Sequence, residues 1–179
     1  MHTILLAAIA ILLAVLMVMI ALTPPRFKVE RSALIAAPPE AVFRHVNDFH
    51  KWQDWSPWAK LDPEAKISFA GPEAGTGAQF TWNGNKAVGE GRMTIVDATP
   101  PRAIKLKLEF VRPVESTADV AFSFEPAGDG TKVTWRMTGE SGFMHRIFCL
   151  FVSMDKMVGR DYERGLANLK SVVEGAGKR

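Results

Sequence analysis

Glu90 and Arg92 are residues whose types and spacing could do chemistry together. They flank Gly91, so in a β-strand both side chains point to the same face of the sheet. On a face that lines a cavity they would pair at its polar end, where a buried carboxylate is a candidate general acid or base. On a solvent face they are ordinary surface charges, and the sequence favours this second interpretation.

A second group contains the side-chain types that bind metals: His45, Asp48, His50 and Asp54. Their spacing fits no standard pair of helical ligands, such as two positions four residues apart. Solvated helix and loop residues have the same composition. The sequence therefore predicts no metal site here.

Nucleophilic residues are few. Cys149 lies in the apolar run 147–152, where a thiol with no neighbouring base is inert. Glu140, Ser141 and His145 contain the residue types of a hydrolytic triad but lack the strained turn that such a serine needs. No phosphate loop or dinucleotide fingerprint occurs. The sequence thus predicts no catalytic residue and no cofactor, and it supports binding better than catalysis.

Charge is distributed unevenly along the chain. The 179 residues include 22 Lys and Arg and 19 Asp and Glu, but none of these lies in residues 1–25. The remaining part has the composition of a globular domain that can bury a sizeable core. A net charge of +3 is too small to indicate nucleic-acid binding, and a single cysteine excludes a disulfide framework.

Residues 4–22 form an uninterrupted apolar run of 19. As a helix this run would be about 28 Å long, close to the thickness of the hydrocarbon core of a bilayer. A cleaved signal peptide would have a basic start and a shorter apolar stretch. We therefore expect a single-pass membrane anchor with a Pro24-Pro25 linker in residues 1–25, and one domain in residues 26–179.

The basic flank of this run predicts its orientation. Arg26, Lys28 and Arg31 follow the run, while only His2 and the α-amino group precede it. The positive-inside rule then places the domain in the cytoplasm. Because the linker is so short, the domain is expected to lie against the membrane surface.

The rest of the chain has the pattern of a sheet followed by a helix. Residues 27–36 alternate like a strand, a helix begins at Pro39, and residues 48–58 form an aromatic short helix or tight loop. Six more strands follow at 67–70, 77–82, 88–96, 103–110, 116–124 and 131–138. Apolar residues then recur at helical spacing from about Met144 to Glu174. Alternation with one apolar face predicts an antiparallel sheet, which only this last helix is long enough to cover.

Several motifs resemble the bacterial branch of the SRPBCC superfamily, the helix-grip proteins that include START lipid-transfer domains and polyketide cyclase/dehydrase-like proteins. They are the segment 31–58 with its A-P-P-E-A-V-F step and W-Q-D-W-S-P-W, and the segments 89–93, 130–135, 154–159 and 165–170. The resemblance implies an α+β helix-grip fold, a curved antiparallel sheet of about seven strands wrapped on a long C-terminal helix, here preceded by one transmembrane helix. It specifies fold better than activity, since the fold hosts many functions.

A sheet wrapped on a helix encloses space that either a ligand or side chains must fill. The residues that we expect to contact a ligand are large and adaptable: Trp82, Trp135, Met137, Phe151, Met154, Met157 and Val158. A dry core would use the same residues. Gly159 and Gly165 favour a cavity, because each glycine costs about 1 kcal/mol inside a helix and needs a local benefit such as close approach or room.

Two apolar segments leave alternatives open. Trp52, Trp55 and Trp58 share one side of a helix, where they would line the cavity mouth, contact lipid headgroups, or plug the junction between the short helices and the sheet. The sequence favours the plug. Residues 143–152 are apolar almost all round, which suits an access gate, a membrane-facing patch, or a segment buried by the short helices.

The function predicted from these observations is a membrane-anchored protein that binds a hydrophobic small molecule or lipid between the sheet and the last helix. One alternative is a polyketide cyclase/dehydratase-like enzyme. Another is an interaction scaffold whose core is filled. The direction of Glu90 and Arg92 distinguishes an enzyme from a binder, and the oligomeric state stays open.

Overall fold

The computed structural model describes residues 2–22, 26–140 and 154–177, without the side chains of Met154 and of several residues in the first helix. In chain order the helices are α1 (His2–Leu22), α2 (Pro39–Val46), a 3₁₀ turn (Phe49–Lys51), α3 (Trp52–Trp55) and α4 (Met154–Ala176). The strands are β1 (Arg26–Ile35), β2 (Lys66–Ala70), β3 (Gln79–Asn83), β4 (Glu90–Thr99), β5 (Ala103–Arg112), β6 (Ser116–Ala127) and β7 (Gly130–Glu140).

All seven strands form one antiparallel sheet in the order β1-β7-β6-β5-β4-β3-β2. Strands β2 to β7 pair with their neighbours along the chain, whereas β1 pairs with the last strand, from Arg26 opposite Glu140 to Ile35 opposite Thr131. The predicted α+β architecture with seven antiparallel strands and a C-terminal helix is therefore confirmed. Strands β1 and β2 are the two edges.

The alternation predicted from the sequence decides which face of the sheet is buried. Val133, Trp135 and Met137 of β7 are buried on one face, together with Val120 and Phe122 of β6. We call this the inner face and the opposite face the outer face. Helices α2 and α4 pack against the sheet, and α3 packs on α4.

Helix α2 forms as its residues predict. Pro39 occupies the first turn, where its missing N–H costs nothing, and Glu40 lies near the positive end of the helix. Val42, Phe43 and Val46 are buried. This apolar stripe fixes α2 against β6 and β7.

Helix α4 lies along β1. Its buried stripe, Tyr162, Leu166, Leu169 and Val173, has the spacing of three and four expected for one helical face. Near its end, Glu174 Oε1 accepts a hydrogen bond of 2.8 Å from the backbone N–H of Ala36. Of the predicted start of this helix, residues 144–153 lie outside the described residues.

The connection between β3 and β4 comprises residues 84–89, one residue more than the 83–87 expected from the sequence. Asn83-Gly84 is a signal of two-residue hairpin turns, but β3 ends at Asn83 and β4 begins only at Glu90. The intervening residues form a loop in which the Gly84 N–H donates to the Gly89 carbonyl, and Asp62 accepts from the backbone N–H of Asn85 at 2.6 Å. This contact with Asp62, distant in sequence, stabilises the loop in place of a two-residue turn.

Within the part of the chain that the structure describes, no helix is long and apolar enough to cross a membrane. The anchor predicted for residues 4–22 gains no support from this result and stays a prediction.

Candidate functional site

The inner face near β7 is filled by aromatic side chains. Trp135 is only 2% exposed. Its ring stacks on Tyr162 with centroids 3.8 Å apart and on Phe122 at 4.9 Å, and Trp55 and Trp58 meet it edge-on at 5.6 Å and 5.9 Å. Trp52 and Trp55 are buried and donate their ring N–H groups to the carbonyls of Val46 and His45. The three tryptophans of the segment 48–58 therefore plug the junction between the short helices and the sheet.

Tyr162 provides a pH-dependent test of this packing. Burial raises the pKa of its hydroxyl well above the ordinary 10.0, because the phenolate would lose its hydration. The unfolded chain therefore ionises first, so the stabilisation from the neutral phenol is complete below pH 10.0 and falls as pH rises above it. Since this is the only tyrosine, tyrosinate absorbance should appear together with the unfolding transition. Tyr162→Phe should remove that part of the alkaline destabilisation, and free titration of the folded protein near pH 10.0 would contradict the prediction.

Gly159 and Gly165 of α4 permit close packing. Of the two benefits expected for them, close approach is therefore observed, and they do not indicate a cavity. A Cβ at Gly165 would lie 2.7 Å from Cζ3 of Trp135 and 3.0 Å from Cδ of Pro57. A Cβ at Gly159 would overlap the guanidinium of Arg31. In both cases the missing side chain makes room for another residue of the protein.

Arg31 is a cationic side chain on the inner face of the sheet, a position that the sequence did not reveal. It is paired with Trp135 in the register and therefore points from β1 toward α4. Its Nη1 donates to Asp155 Oδ1 at 2.8 Å and its Nε to Glu163 Oε1 at 2.7 Å. The Arg31 hydrogen bond holds the pKa of Asp155 below its ordinary value. The available signal was the parity of Arg31 with Val29 and Ala33, combined with a glycine in the facing helix.

The described residues leave a pocket of about 560 Å³ on strands β2 to β6, away from β7 and β1. It lies where β3 and β5 end and where β2, β4 and β6 begin. Its apolar lining comes from the inner-face residues Ile67, Trp82 and Phe110 and from Val111, which has the opposite strand parity; none of the four is fully buried. The rings of Trp82 and Phe110 meet edge-on at 5.6 Å.

Gly91 and a hydrogen bond fix the position of Trp82. Gly91 is opposite Trp82 in the register, and a Cβ there would lie 2.6 Å from Cζ2 and Cη2 of the indole. The ring N–H of Trp82 donates to the carbonyl of Val88 at 3.0 Å. The indole is therefore held rigidly at the pocket, with part of its surface exposed.

Glu90 and Arg92 also line the pocket, but they point to the outer face and form ion pairs. Arg92 Nη2 lies 2.9 Å from Glu109 Oε2, and Arg112 Nε lies 2.7 Å from Glu90 Oε2. Hydrogen bonds from Lys107 and Arg92 lower the pKa of Glu109, so it is ionised at neutral pH. A paired carboxylate of this kind is a poor general acid.

The predicted ligand-contact residues occupy different surroundings. Trp82 lines the pocket, whereas Trp135 and Met137 are buried in packing contacts. Val158 packs against the core, and Met157 is 47% exposed. Phe151 and the side chain of Met154 lie outside the described residues. The pocket adds Phe110 and Ile67, which the sequence placed only on apolar strand faces.

The residues considered as metal ligands are not assembled into a site. Among the described residues no group of three His, Cys, Asp or Glu side chains is close enough to hold a metal ion. His50 contacts Asp48 Oδ1 at 3.1 Å and stacks on Phe69 at 4.0 Å. These contacts fix a loop. Cys149, Ser141 and His145 lie outside the described residues.

The model of the family described as "Polyketide cyclase / dehydrase and lipid transport" matches residues 26–174. No curated protein sequence matches the chain.

Solved structures share the fold at low sequence identity. Protein CV1439 from Chromobacterium violaceum is 15% identical with a TM-score of 0.59, over 84% of this chain and 98% of that protein. The Aha1 dimer from Colwellia psychrerythraea is 16% identical with a TM-score of 0.55, over 83% of this chain and 96% of that protein. The di-domain ARO/CYC StfQ from the steffimycin biosynthetic pathway is 13% identical with a TM-score of 0.62, over 86% of this chain and 52% of that protein.

Proposed function

The chain belongs to the polyketide cyclase/dehydrase and lipid transport family, and on that premise we propose that it binds a hydrophobic small molecule or lipid at the pocket beside Trp82. One observation carries the proposal. The inner face is closed by aromatic packing at Trp135 but leaves incompletely buried aromatic rings, Trp82 and Phe110, at a pocket of about 560 Å³. That volume suits one small apolar ligand.

The polar side of the pocket favours orientation of a ligand over catalysis. Glu90, Arg92 and Glu109 are each satisfied by an ion pair, and none of them is placed on the inner face beside the aromatic rings. Ser116 lies opposite Phe110 in the register and brings a hydroxyl group to the pocket on the inner face. Ser68 and Thr81 also line the pocket, but they lie on the outer face and hydrogen-bond each other. The Ser116 hydroxyl can hydrogen-bond a polar group of the ligand while the indole contacts its apolar part.

Two other functions remain as alternatives. The likeness to the ARO/CYC StfQ favours a cyclase/dehydratase-like enzyme, which would need an acid or base supplied from outside the paired residues named above. The filled packing around Trp135 favours an interaction scaffold. The binding proposal predicts that an apolar probe occupies the pocket, and the scaffold predicts that it does not.

Membrane attachment is the second part of the proposal. Residues 4–22 are apolar without interruption, and residues 1–25 contain no Asp, Glu, Lys or Arg. This composition supports insertion of residues 4–22 in a bilayer, with the domain on the cytoplasmic side because Arg26, Lys28 and Arg31 follow. Neither Met157 nor Val158 lines the pocket beside Trp82, so the proposed ligand site excludes these two predicted contacts.

Filling the pocket tests the binding proposal. Ser116 is exposed, lies opposite Phe110 in the register and lines the pocket. Ser116→Trp in residues 26–179 should occupy the space and weaken binding of a fluorescent apolar probe about tenfold or more, which corresponds to at least about 1.4 kcal/mol. Its thermal midpoint should change little, because the position is exposed. Fluorescence titration and thermal unfolding measure the two effects.

Glu125→Trp is the matched control. Glu125 is an exposed residue of the same strand, near its other end, so the new indole should leave probe affinity unchanged. A wild-type domain that binds no probe would refute the proposal and favour the scaffold. Equal binding by both variants would place the ligand elsewhere.

A further inference from the structure

The end of the sheet that holds the pocket is also the end that continues into α1. Arg26, the first residue of β1, lies opposite Glu140 at the end of β7. The same row continues through the start of β6, the end of β5, the start of β4, the end of β3 and the start of β2. The strand ends of β2 to β6 in this row line the pocket, and those of β1 and β7 lie beside it.

The chain between α1 and this row is short. Helix α1 ends at Leu22 and β1 begins at Arg26. Four extended residues span at most about 14 Å, whatever path the linker takes. The end of α1 is therefore confined to the neighbourhood of this end of the sheet.

The β5–β6 hairpin exposes apolar side chains at this same end. Val111 is 51% exposed and Val114 is 69% exposed. The two strands of the hairpin, β6 and β5, are two and three strand spacings from β1, about 10–14 Å across the sheet. Connections at the opposite end, residues 71–78, 100–102 and 128–129, contain no exposed large apolar side chain.

The charges of the hairpin do not select a strongly acidic or basic partner. Arg112 is paired with Glu90, and Glu115 follows at the tip. Two exposed valines beside a balanced set of charges suit shallow insertion into lipid, where burial of apolar surface provides the affinity. Because α1 is close to this end of the sheet, the lipid would belong to the same bilayer in which residues 4–22 are proposed to lie.

We propose that this end of the sheet rests on the bilayer, with Val111 and Val114 inserted among the lipids, so that the pocket exchanges its ligand directly with the membrane. The inference rests on the proposed function, and in particular on the proposed anchor. The binding partner of this end of the sheet is thus a lipid surface. A protein partner or a second copy of the chain is an alternative that the experiment excludes or reveals.

The test uses the full chain with Cys149→Ser in phosphatidylcholine vesicles. An environment-sensitive fluorophore is attached at Val114→Cys and, as the matched control, at Asp129→Cys in the β6–β7 turn at the opposite end of the sheet. We expect nitroxide-labelled phospholipids to quench the fluorophore at position 114 severalfold more than that at position 129. Blue-shifted emission at position 114 without lipid quenching would instead indicate a protein contact and overturn the inference.

Separate measurements distinguish the possible failures. Equal quenching at positions 114 and 129 in chains that float with the vesicles would refute the orientation and leave the anchor intact. Chains that do not float would refute the anchor and this inference together. Neither result affects probe binding by residues 26–179 in solution, which tests the pocket alone.

A second variant checks the proposed exchange route. Val114→Asp should slow transfer of the apolar probe from vesicles to the full chain severalfold, because the hairpin can no longer insert. Probe affinity of residues 26–179 should not change, since Val114 does not line the pocket. Unchanged transfer would refute direct exchange with the membrane.

Discussion

Trp135→Ala should lower the free energy of unfolding by about 3–5 kcal/mol, the loss expected when a buried tryptophan is truncated. The ring is 2% exposed and stacks on Tyr162 and Phe122. Its neighbours belong to β6, α3 and α4, so they cannot all move together to close the space. Urea unfolding of residues 26–179 measures the effect.

Trp135→Phe is the control for this substitution, because it keeps an apolar ring and should lose clearly less stability. A loss below about 1 kcal/mol for Trp135→Ala would show that the site collapses easily or is already loosely packed. In that case the inner face near β7 would regain its place as a candidate ligand site.

Trp82→Ala should weaken binding of the apolar probe about tenfold or more, which corresponds to at least about 1.4 kcal/mol. Trp82 presents part of its ring to the pocket and is held by Gly91 and by the Val88 carbonyl. An aromatic surface fixed in advance binds without paying to order a flexible side chain. Fluorescence titration of residues 26–179 gives the affinity.

Trp58→Ala is the matched control for Trp82→Ala. Trp58 is also partly buried, but it contacts Trp135 and Tyr162 and does not line the pocket. It should lower stability while leaving probe affinity unchanged. Equal loss of affinity in both variants would show that binding follows stability and that Trp82 does not contact the ligand.

Much of the fold was predictable because one-sided alternation has a single physical outcome. Val133, Trp135 and Met137 alternate with polar residues, and the same face of a sheet must bury all three. The helical spacing of Tyr162, Leu166 and Leu169 likewise specifies which side of the last helix is buried. Such local periodicity survives folding, and the strand positions follow it.

The site was harder to predict because it depends on contacts between distant segments. Whether Trp135 lines a cavity depends on Trp55, Trp58 and Gly165, which are brought to it from other elements. Trp82 and Trp135 both lie on the inner face of a strand, yet Trp82 lines the pocket and Trp135 is covered by other side chains. The sequence fixes parity for both residues but contains no local signal of what covers each ring.

Arg31 illustrates a second limit of sequence patterns. Its parity places it on the inner face, where a cation is unfavourable without partners. The partners, Asp155 and Glu163, are more than 120 residues away along the chain. Only the three-dimensional arrangement brings them within hydrogen-bond distance, and only glycine at position 159 leaves space for the guanidinium.

Pairing of the first strand with the last has a consequence for synthesis on the ribosome. Strand β1 can join the sheet only after its partners in β7 have been synthesised, because Arg26 pairs with Glu140 and Ile35 pairs with Thr131. At about 5–20 residues per second, that delay is on the order of 5–20 s. Throughout it, Val29 on the nascent strand has no sheet to cover it, although it is fully buried in the folded protein. Circular permutation of residues 26–179 that opens the β6–β7 turn and joins the two ends would place β7 and α4 ahead of β1. Strand β7 would then be synthesised before β1, so the exposure of Val29 should be shorter.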